Sequence, residues 1–392
     1  VGGYAAVFAV AATITFLTTP VVRVLAVRIG AVVAPDERRV HERPTPTLGG
    51  LAMYVAFLAA MGTAWFIPQF RDNVFRTSSE PLGVVVAATV ITAVGLLDDL
   101  REVSAPAKVA GQVMAAMGLY FLGVTLYFFR VPFAGVVVLS PDAIPLVTVL
   151  WVVLMANAVN LIDGLDGLAA GIVAIAAAAF FLYGDRLFKA GLLPDDSVGP
   201  LVAAIVAGVC LGFLPHNFHP ARIFMGDTGA MFLGLLMAAS TMVVGGRTDQ
   251  PFSGQTFFFF APVAIPFVVL GVPIVDTAFA VLRRAVRRSG LARADKEHLH
   301  HRLMRLGHGQ RRAVLILWAW TAVLSGIALV PTYSNRGNAL VPVLVAALAV
   351  ALYTVFHPGL RAARNGVDTA QQELPFTGPP PGPAADAPRR GG

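Results

Sequence analysis

The sequence predicts an all-α polytopic membrane protein of about eleven transmembrane helices, N-terminus outside and C-terminus cytoplasmic, with one short external β-hairpin. Three observations point there. Apolar runs of about 20 residues, enough helix to cross a ~30 Å hydrocarbon core, recur from end to end. Only 13% of residues are charged and 57% are hydrophobic, against roughly 25% charged in an average soluble domain. Finally, the cations partition between alternate connections.

The spans fall at about 4–28, 48–70, 82–97, 107–124, 145–161, 166–184, 199–214, 228–245, 256–282, 312–331 and 339–357. The first run, Tyr4–Leu25, is longer than the apolar core of a signal peptide and leads into an Arg-bearing loop, so it reads as a retained span. One set of connections, with the tail, carries 22 Lys and Arg, ten of them in the loop 283–312; the other carries 7. Lys and Arg are enriched in cytoplasmic loops, which orients the chain. Residues 124–142 are β-branched and aromatic around Pro132 and Gly135, as in a hairpin. Residues 1–360 form the transmembrane catalytic domain, and the Pro/Gly/Ala-rich stretch 361–392 reads as a disordered cytoplasmic tail.

The net charge of +7 reports topology and contact with anionic lipid or substrate; with no basic soluble domain, nucleic acid is excluded as a partner. The single cysteine, Cys210, allows neither an intrachain disulfide nor a cysteine metal site.

Five polar clusters land on the cytoplasmic side. In "DERRVHERPTPTLGG", 36–50, Pro44 and Pro46 forbid a regular helix and Gly49–Gly50 permit close backbone approach. In "GLLDDLREV", 95–103, Asp98 and Asp99 end the third span; on a helix they point ~100° apart, so both need not face one ion. Lys108, further along that loop, suits a phosphate or the membrane interface. In "NAVNLIDGLDGLAAG", 157–171, Asn157, Asn160, Asp163 and Asp166 recur every third residue. On one regular helix four such rungs wrap about half the circumference, so Gly164 and Gly167 are expected to break it and turn the acids back. In "HPARIFMGDTGAMFLG", 219–234, Asp227 opens an apolar helix as an N-cap or beside an incoming anion. In "DKEHLHHRLMRLGHGQRR", 295–312, His298, His300 and His301 stand among cations without cysteine, which favours a phosphate cradle over zinc.

Carboxylate and amide oxygens without thiolates favour a hard ion such as Mg2+, which keeps waters and binds substrate phosphates. With a basic loop opposite, the set describes phosphoryl transfer, where positioning and charge neutralisation do most of the catalysis. A site at the bilayer surface implies one lipid substrate and one cytosolic nucleotide.

At these residues the chain resembles a family. "PTPTLGG", "LLDD", "NAVNLIDGLDGLAAG", "RIFMGDTGAMFLG" and "HLHHRL" follow the order and topology of the polyprenyl-phosphate N-acetylhexosamine-1-phosphate transferases, over roughly residues 1–330. The resemblance implies that a polyprenyl phosphate (undecaprenyl or decaprenyl) attacks the β-phosphate of a UDP-N-acetylhexosamine. The products are polyprenyl-diphospho-HexNAc and UMP, with Mg2+ required and Mn2+ an alternative. It implies a place at the bacterial cytoplasmic membrane, in the first membrane step of cell-wall or surface polysaccharide synthesis, and a homodimer by analogy. Asp227 and Asn160 match metal ligands, with Asp163 set beside them. Asp98 and Asp99, with Asp227, match the catalytic acids, the pair acting on the lipid phosphate. Asn157, Asp166 and Lys108 match nucleotide- and phosphate-contacting positions, and His298, His300, His301 and Arg302 the diphosphate-binding loop. The run His298-Leu299-His300-His301-Arg302-Leu303 resembles the simple-HexNAc branch, as in WecA- and TagO-like enzymes, so UDP-GlcNAc is favoured over UDP-MurNAc-pentapeptide. Glu102 stands where the family often has a third Asp and is assigned no role. Two rivals fit less well: an intramembrane prenyltransferase has no use for the His/Arg loop, and an ion-coupled transporter places acids near mid-span.

Overall fold

The computed structural model describes residues 2–34, 44–131, 135–245, 309–334 and 341–356. Helices α1 (Gly2–Arg28), α2 (Gly49–Phe66), α4 (Glu80–Arg101), α5 (Ala105–Phe121), α6 (Ala143–Ile162), α7 (Leu168–Lys189), α8 (Gly199–Asn217), α9 (Gly226–Gly245), α10 (Gln310–Tyr333) and α11 (Val341–Phe356) make up most of them. Each of the ten expected spans on described residues has its helix. The expected span 256–282 and the tail 361–392 lie outside the described residues. Among the described residues seven helices, α1, α2, α4 and α6 to α9, are long and apolar enough to cross a membrane. The chain is a mostly helical, multi-pass membrane protein.

The second expected span is shorter than its apolar run. α2 stops at Phe66 because Pro68 follows, and the chain continues through α3 (Pro68–Phe70) into a π turn at Arg71–Phe75. Two short antiparallel pairs complete the described structure. β1 (Val32–Val33) pairs with β2 (Thr45–Pro46), so the Pro-rich segment is extended. β3 (Phe128–Val131) pairs with β4 (Gly135–Val138), where the hairpin is expected.

α9 is the axis of the bundle, packed against α4 and α6 and also against α8 and α2. Its apolar window is 94% buried, against 28% for α1. A helix hydrophobic on every side belongs in the middle, and in α9 Met231, Phe232, Leu233, Leu235, Leu236 and Met237 are all fully buried. α1 instead turns Leu17, Val21 and Val27 outward, as lipid contact requires. Where α1 meets α8, Cβ atoms on Gly208 and Gly212 would lie 2.5 and 2.2 Å from the carbonyl oxygens of Phe8 and Ala12. Small residues admit this backbone approach between membrane helices.

α1 also contains Pro20, which has no N–H to offer the carbonyl four residues back, that of Phe16. His216 Nε2, at the end of α8, donates to that oxygen at 3.0 Å, and its ring lies 5.0 Å from the Phe16 ring. The lone His216 is thus an interhelical residue. Removing the donor leaves a carbonyl unpaired, a loss on the order of 1 kcal/mol. His216→Ala should lower the thermal midpoint in detergent, and by much less in a Pro20→Ala background, where residue 20 donates. Equal losses in both backgrounds would disprove this pairing.

Candidate active site

The polar clusters meet at one end of the bundle. Alternating helix direction brings the C-terminal ends of α4, α6 and α8 beside the N-terminal ends of α2, α5, α7 and α9.

The first thing built there is the start of α9. Its leading N–H groups have no partner within the helix, and a neighbouring helix supplies one. Asp99 Oδ1 accepts from Asp227 N at 3.0 Å; Asp99 Oδ2 accepts from Thr228 N at 3.1 Å and from Thr228 Oγ1 at 2.6 Å. Asp227, read from sequence as a possible N-cap, therefore sits within the first turn and is capped by Asp99 of α4. Gly226 precedes it at φ +69°, where a Cβ would lie 2.4 Å from Asp99 Oδ2 and 2.5 Å from Thr47 Oγ1. Gly50 of α2 and Gly95 of α4 close in on the same turn: Cβ atoms there would fall 2.1 Å from Gly229 N and 2.5 Å from Thr228 Cα. The "PTPTLGG" segment completes the seat, since Gly49 N and Gly50 N donate to Phe224 O and Met225 O, each at 2.9 Å.

With α9 seated, Asp227 faces Lys108 of α5. Lys108 Nζ lies 2.7 Å from Asp227 Oδ2 and 2.5 Å from Asp98 Oδ2, joining acids of two helices. Asp98 Oδ1 accepts from Val103 N at 2.7 Å, just after Glu102 ends α4 with a left-handed φ of +49°. Asn160 of α6 reaches the same Asp227 oxygen, with Nδ2 at 3.5 Å. The adjacent acids thus divide: Asp99 is saturated by the α9 cap, and Asp98 faces the lysine.

The 157–171 ladder breaks as its glycines imply: α6 ends at Ile162 and α7 starts at Leu168, after Gly167 at φ +77°. Asn157 points to α5, with Nδ2 donating to Gln112 Oε1 at 2.8 Å, and Gln112 Nε2 approaches Met231 Sδ at 3.3 Å. Asp166 is buried, and its Oδ2 lies 2.8 Å from His219 Nδ1 and accepts from Ala221 N at 3.0 Å. Asn217 locks the same corner, accepting from Gly167 N at 3.1 Å and donating to Ile223 O at 3.0 Å.

Asp163 lies in the break between α6 and α7 and keeps partial solvent access. Among the described residues no hydrogen bond or ion pair reaches its carboxylate. Burial, and then the negative charges of Asp227, Asp99 and Asp166, push its pKa well above the usual carboxylate range. Asp98, Asp99, Asp163 and Asp227 thus converge on a region where Lys108 is the paired cation among the described residues. Among the described residues no three acids, imidazoles or thiols form a ready-made cage. Mg2+ commonly takes one or two protein carboxylates and completes its shell with water and substrate phosphates. Asp227, Asp163 and the Asn160 amide fit that smaller demand, all being hard donors.

The structure brings together Asp98, Asp99, Lys108, Asn160, Asp163 and Asp227, and sets Asn157 and Asp166 in the adjoining amide network and loop clamp. His298, His300, His301 and Arg302 lie outside the described residues. Sequence reasoning missed Thr228, Gln112, Asn217 and His219. The signal for Asn217 and His219 was present, since His219 opens the "HPARIFMGDTG" motif and Asn217 stands two residues before it.

Residues 81–245 match the family described as glycosyl transferase family 4. The decaprenyl-phosphate N-acetylglucosaminephosphotransferase of Mycolicibacterium smegmatis is 39% identical over 372 residues, covering 92% of this chain and 89% of that protein. The probable undecaprenyl-phosphate N-acetylglucosaminyl 1-phosphate transferase of Bacillus subtilis is 36% identical over 327 residues, 82% of this chain and 83% of its own. The phospho-N-acetylmuramoyl-pentapeptide-transferase of Desulforudis audaxviator is 33% identical over 352 residues, covering 82% and 96%.

A carboxyl whose pKa is raised by folding contributes stability below its unfolded value of ~3.9, and that contribution is lost as pH rises through the folded value. Asp163→Asn should therefore raise the thermal midpoint in EDTA at pH 7.5, and the gain should vanish as pH falls towards 4. Mg2+ should stabilise the native chain at pH 7.5 and leave Asp163→Asn nearly unmoved. A variant less stable than the native chain in EDTA at pH 7.5 would contradict the strain assigned to this carboxylate.

Proposed function

This chain belongs to glycosyl transferase family 4, among the polyprenyl-phosphate N-acetylhexosamine-1-phosphate transferases, and we propose that it transfers GlcNAc-1-phosphate from UDP-GlcNAc to a polyprenyl phosphate. The observation that carries the reading is the set of acids from separate helices gathered at one end of the bundle, with Lys108 joining Asp98 to Asp227. The relatives named for GlcNAc phosphotransfer are also more similar than the one named for the muramoyl-pentapeptide reaction. That agrees with the His298–Leu303 pattern.

An oxygen of the lipid phosphate attacks the β-phosphorus of the donor. The bond from that phosphorus to the bridging oxygen breaks, and the bridging oxygen leaves with UMP. A phosphate monoester has a second pKa of ~6 and is largely dianionic at neutral pH, so the nucleophile needs no general base. Asp98 then binds and orients: it keeps Lys108 beside Asp227 until the lipid phosphate competes for the ammonium. Asp99 serves as a positioning residue, holding the turn that carries Asp227. Asp227, Asn160 and Asp163 would hold Mg2+ or Mn2+, which would supply neutralisation of diphosphate charge. Asn157 and Asp166 shape the nucleotide side, and His298, His300, His301 and Arg302 take the diphosphate. The excess of Lys and Arg on the same connections as these clusters supports a cytoplasmic site, an outside N-terminus and an external β3–β4 hairpin.

Purified protein with Mg2+ and polyprenyl phosphate should release UMP from UDP-GlcNAc and not from UDP-MurNAc-pentapeptide. No UMP from either donor would remove the transferase reading, and release from the peptide donor alone would reverse the choice of donor. Asp227→Ala should lower turnover at least a thousandfold and abolish its divalent-cation dependence. Asp98→Asn should lower turnover strongly while leaving the pH profile flat between 7 and 8.5, as expected when no base titrates.

A further inference from the structure

The turn 163–167 carries Asp163 and Asp166, and among the described residues its hydrogen bonds to other elements come from Asn217, His219 and Ala221, all at the end of α8 or just after it. Another flank faces α10. There Gly171, one turn into α7, is buried, and a Cβ built on it would fall 1.9 to 2.1 Å from Trp318 Cε2, Cζ2 and Nε1. The indole of Trp318 fills the notch that this missing side chain leaves. Its Nε1 donates to Leu168 O at 3.4 Å, on the first residue of α7. Its ring lies 5.6 Å from the Phe218 ring. Phe218 presses in turn on the turn itself: a Cβ on Gly167 would lie 3.1 Å from Phe218 Cδ2 and 3.3 Å from Phe218 Cα.

We infer that Trp318 is a positioning residue for the site, a buttress seated in the Gly171 notch that holds the Asp163–Gly167 turn against the end of α8. Three features support it. The contact is steric and close, so it sets position rather than merely adding apolar area. It reaches backbone at Leu168 and, through Phe218, at Gly167, the two residues that fix where α7 begins. It also comes from outside the 81–245 region that defines the family match, tying the acid turn to a helix that contributes none of the acids. Trp318 touches no substrate in this assignment; it acts through Asp163. Asp163 needs such support because no partner among the described residues holds its carboxylate.

The inference rests on the proposed cation role of Asp163, and its test uses two readouts that separate it from the choice of donor. Gly171→Ala, Trp318→Ala and the size-compensated Gly171→Ala/Trp318→Leu are purified as full chains. Each is titrated with Mn2+ by electron paramagnetic resonance and assayed for UMP release from UDP-GlcNAc, with the folded fraction normalised by thermal unfolding. Both single variants should bind Mn2+ at least fivefold more weakly and turn over at least tenfold more slowly, with KM for UDP-GlcNAc changed less than kcat. The double variant should recover most of both losses relative to Gly171→Ala. If the native chain turns over and the single variants match it in Mn2+ affinity and kcat, the buttress is wrong and the transferase reading stands. If the native chain releases no UMP but the Mn2+ pattern and its rescue hold, the donor reading fails and the buttress stands. Losses that track the folded fraction alone, without rescue, would also overturn it.

Discussion

The structure depends on the capping of α9 by Asp99. α9 is apolar around its whole circumference and lies at the centre of the bundle, and its first N–H groups take their partners from a neighbouring helix. Leaving buried donors unpaired costs roughly 1–3 kcal/mol each. A carboxylate supplied by α4 answers two N–H groups and a hydroxyl at once and complements the positive end of the helix dipole. Because the cap comes from another helix, it also fixes the height of α9 against α4. That height decides where Asp227 stands relative to Asp98 and Lys108.

The glycines belong to the same constraint. A carboxylate can enter at Gly226 only without a Cβ, and α2 and α4 can reach the Thr228–Gly229 turn only through Gly50 and Gly95. Motifs that look like separate sequence features, "PTPTLGG", "LLDD" and "MGDTG", are one packed object in three pieces. The acids inside it are held by different means. Asp99 accepts two backbone N–H groups and a hydroxyl, Asp98 and Asp227 share a lysine, and Asp163 has neither kind of partner among the described residues. This unevenness is what the proposed cation role of Asp163 rests on.

Much of this was legible in the sequence, for identifiable reasons. Helix positions follow from apolar length, so a helix stands near the bounds of each of the ten expected spans on described residues, seven of them long and apolar enough to cross a membrane. The break after Ile162 follows from a polar ladder that one regular helix cannot keep on one face. What the sequence hid is which partner each polar residue takes. Asp98 and Asp99 are neighbours in the chain, and nothing in their spacing says that one caps a distant helix while the other meets Lys108. Asp166 was expected at the nucleotide, and the sequence did not show that its carboxylate also meets His219 Nδ1 and Ala221 N, 53 and 55 residues on. Side chains such as Gln112 sit alone in apolar runs and acquire meaning only when three helices meet. The short β1–β2 pair escaped as well, because two-residue strands leave no periodicity to read.

Placing the site at helix ends reconciles chemistry with the bilayer. An ionised carboxylate costs at least ~2.5 kcal/mol at the membrane centre, and this site gathers four. At the junction of helix ends, backbone N–H groups, Lys108 and the Asn160 amide reach Asp98, Asp99 and Asp227. In the proposed reaction the same junction is where a lipid phosphate, anchored by its chain, would meet a nucleotide arriving from water. A mid-span site would serve the lipid tail and exclude the nucleotide, while a soluble domain would do the reverse. The need to hold charge in apolar surroundings and the need to join two unlike substrates therefore select one location, and the Asp99 cap on α9 keeps the acids there.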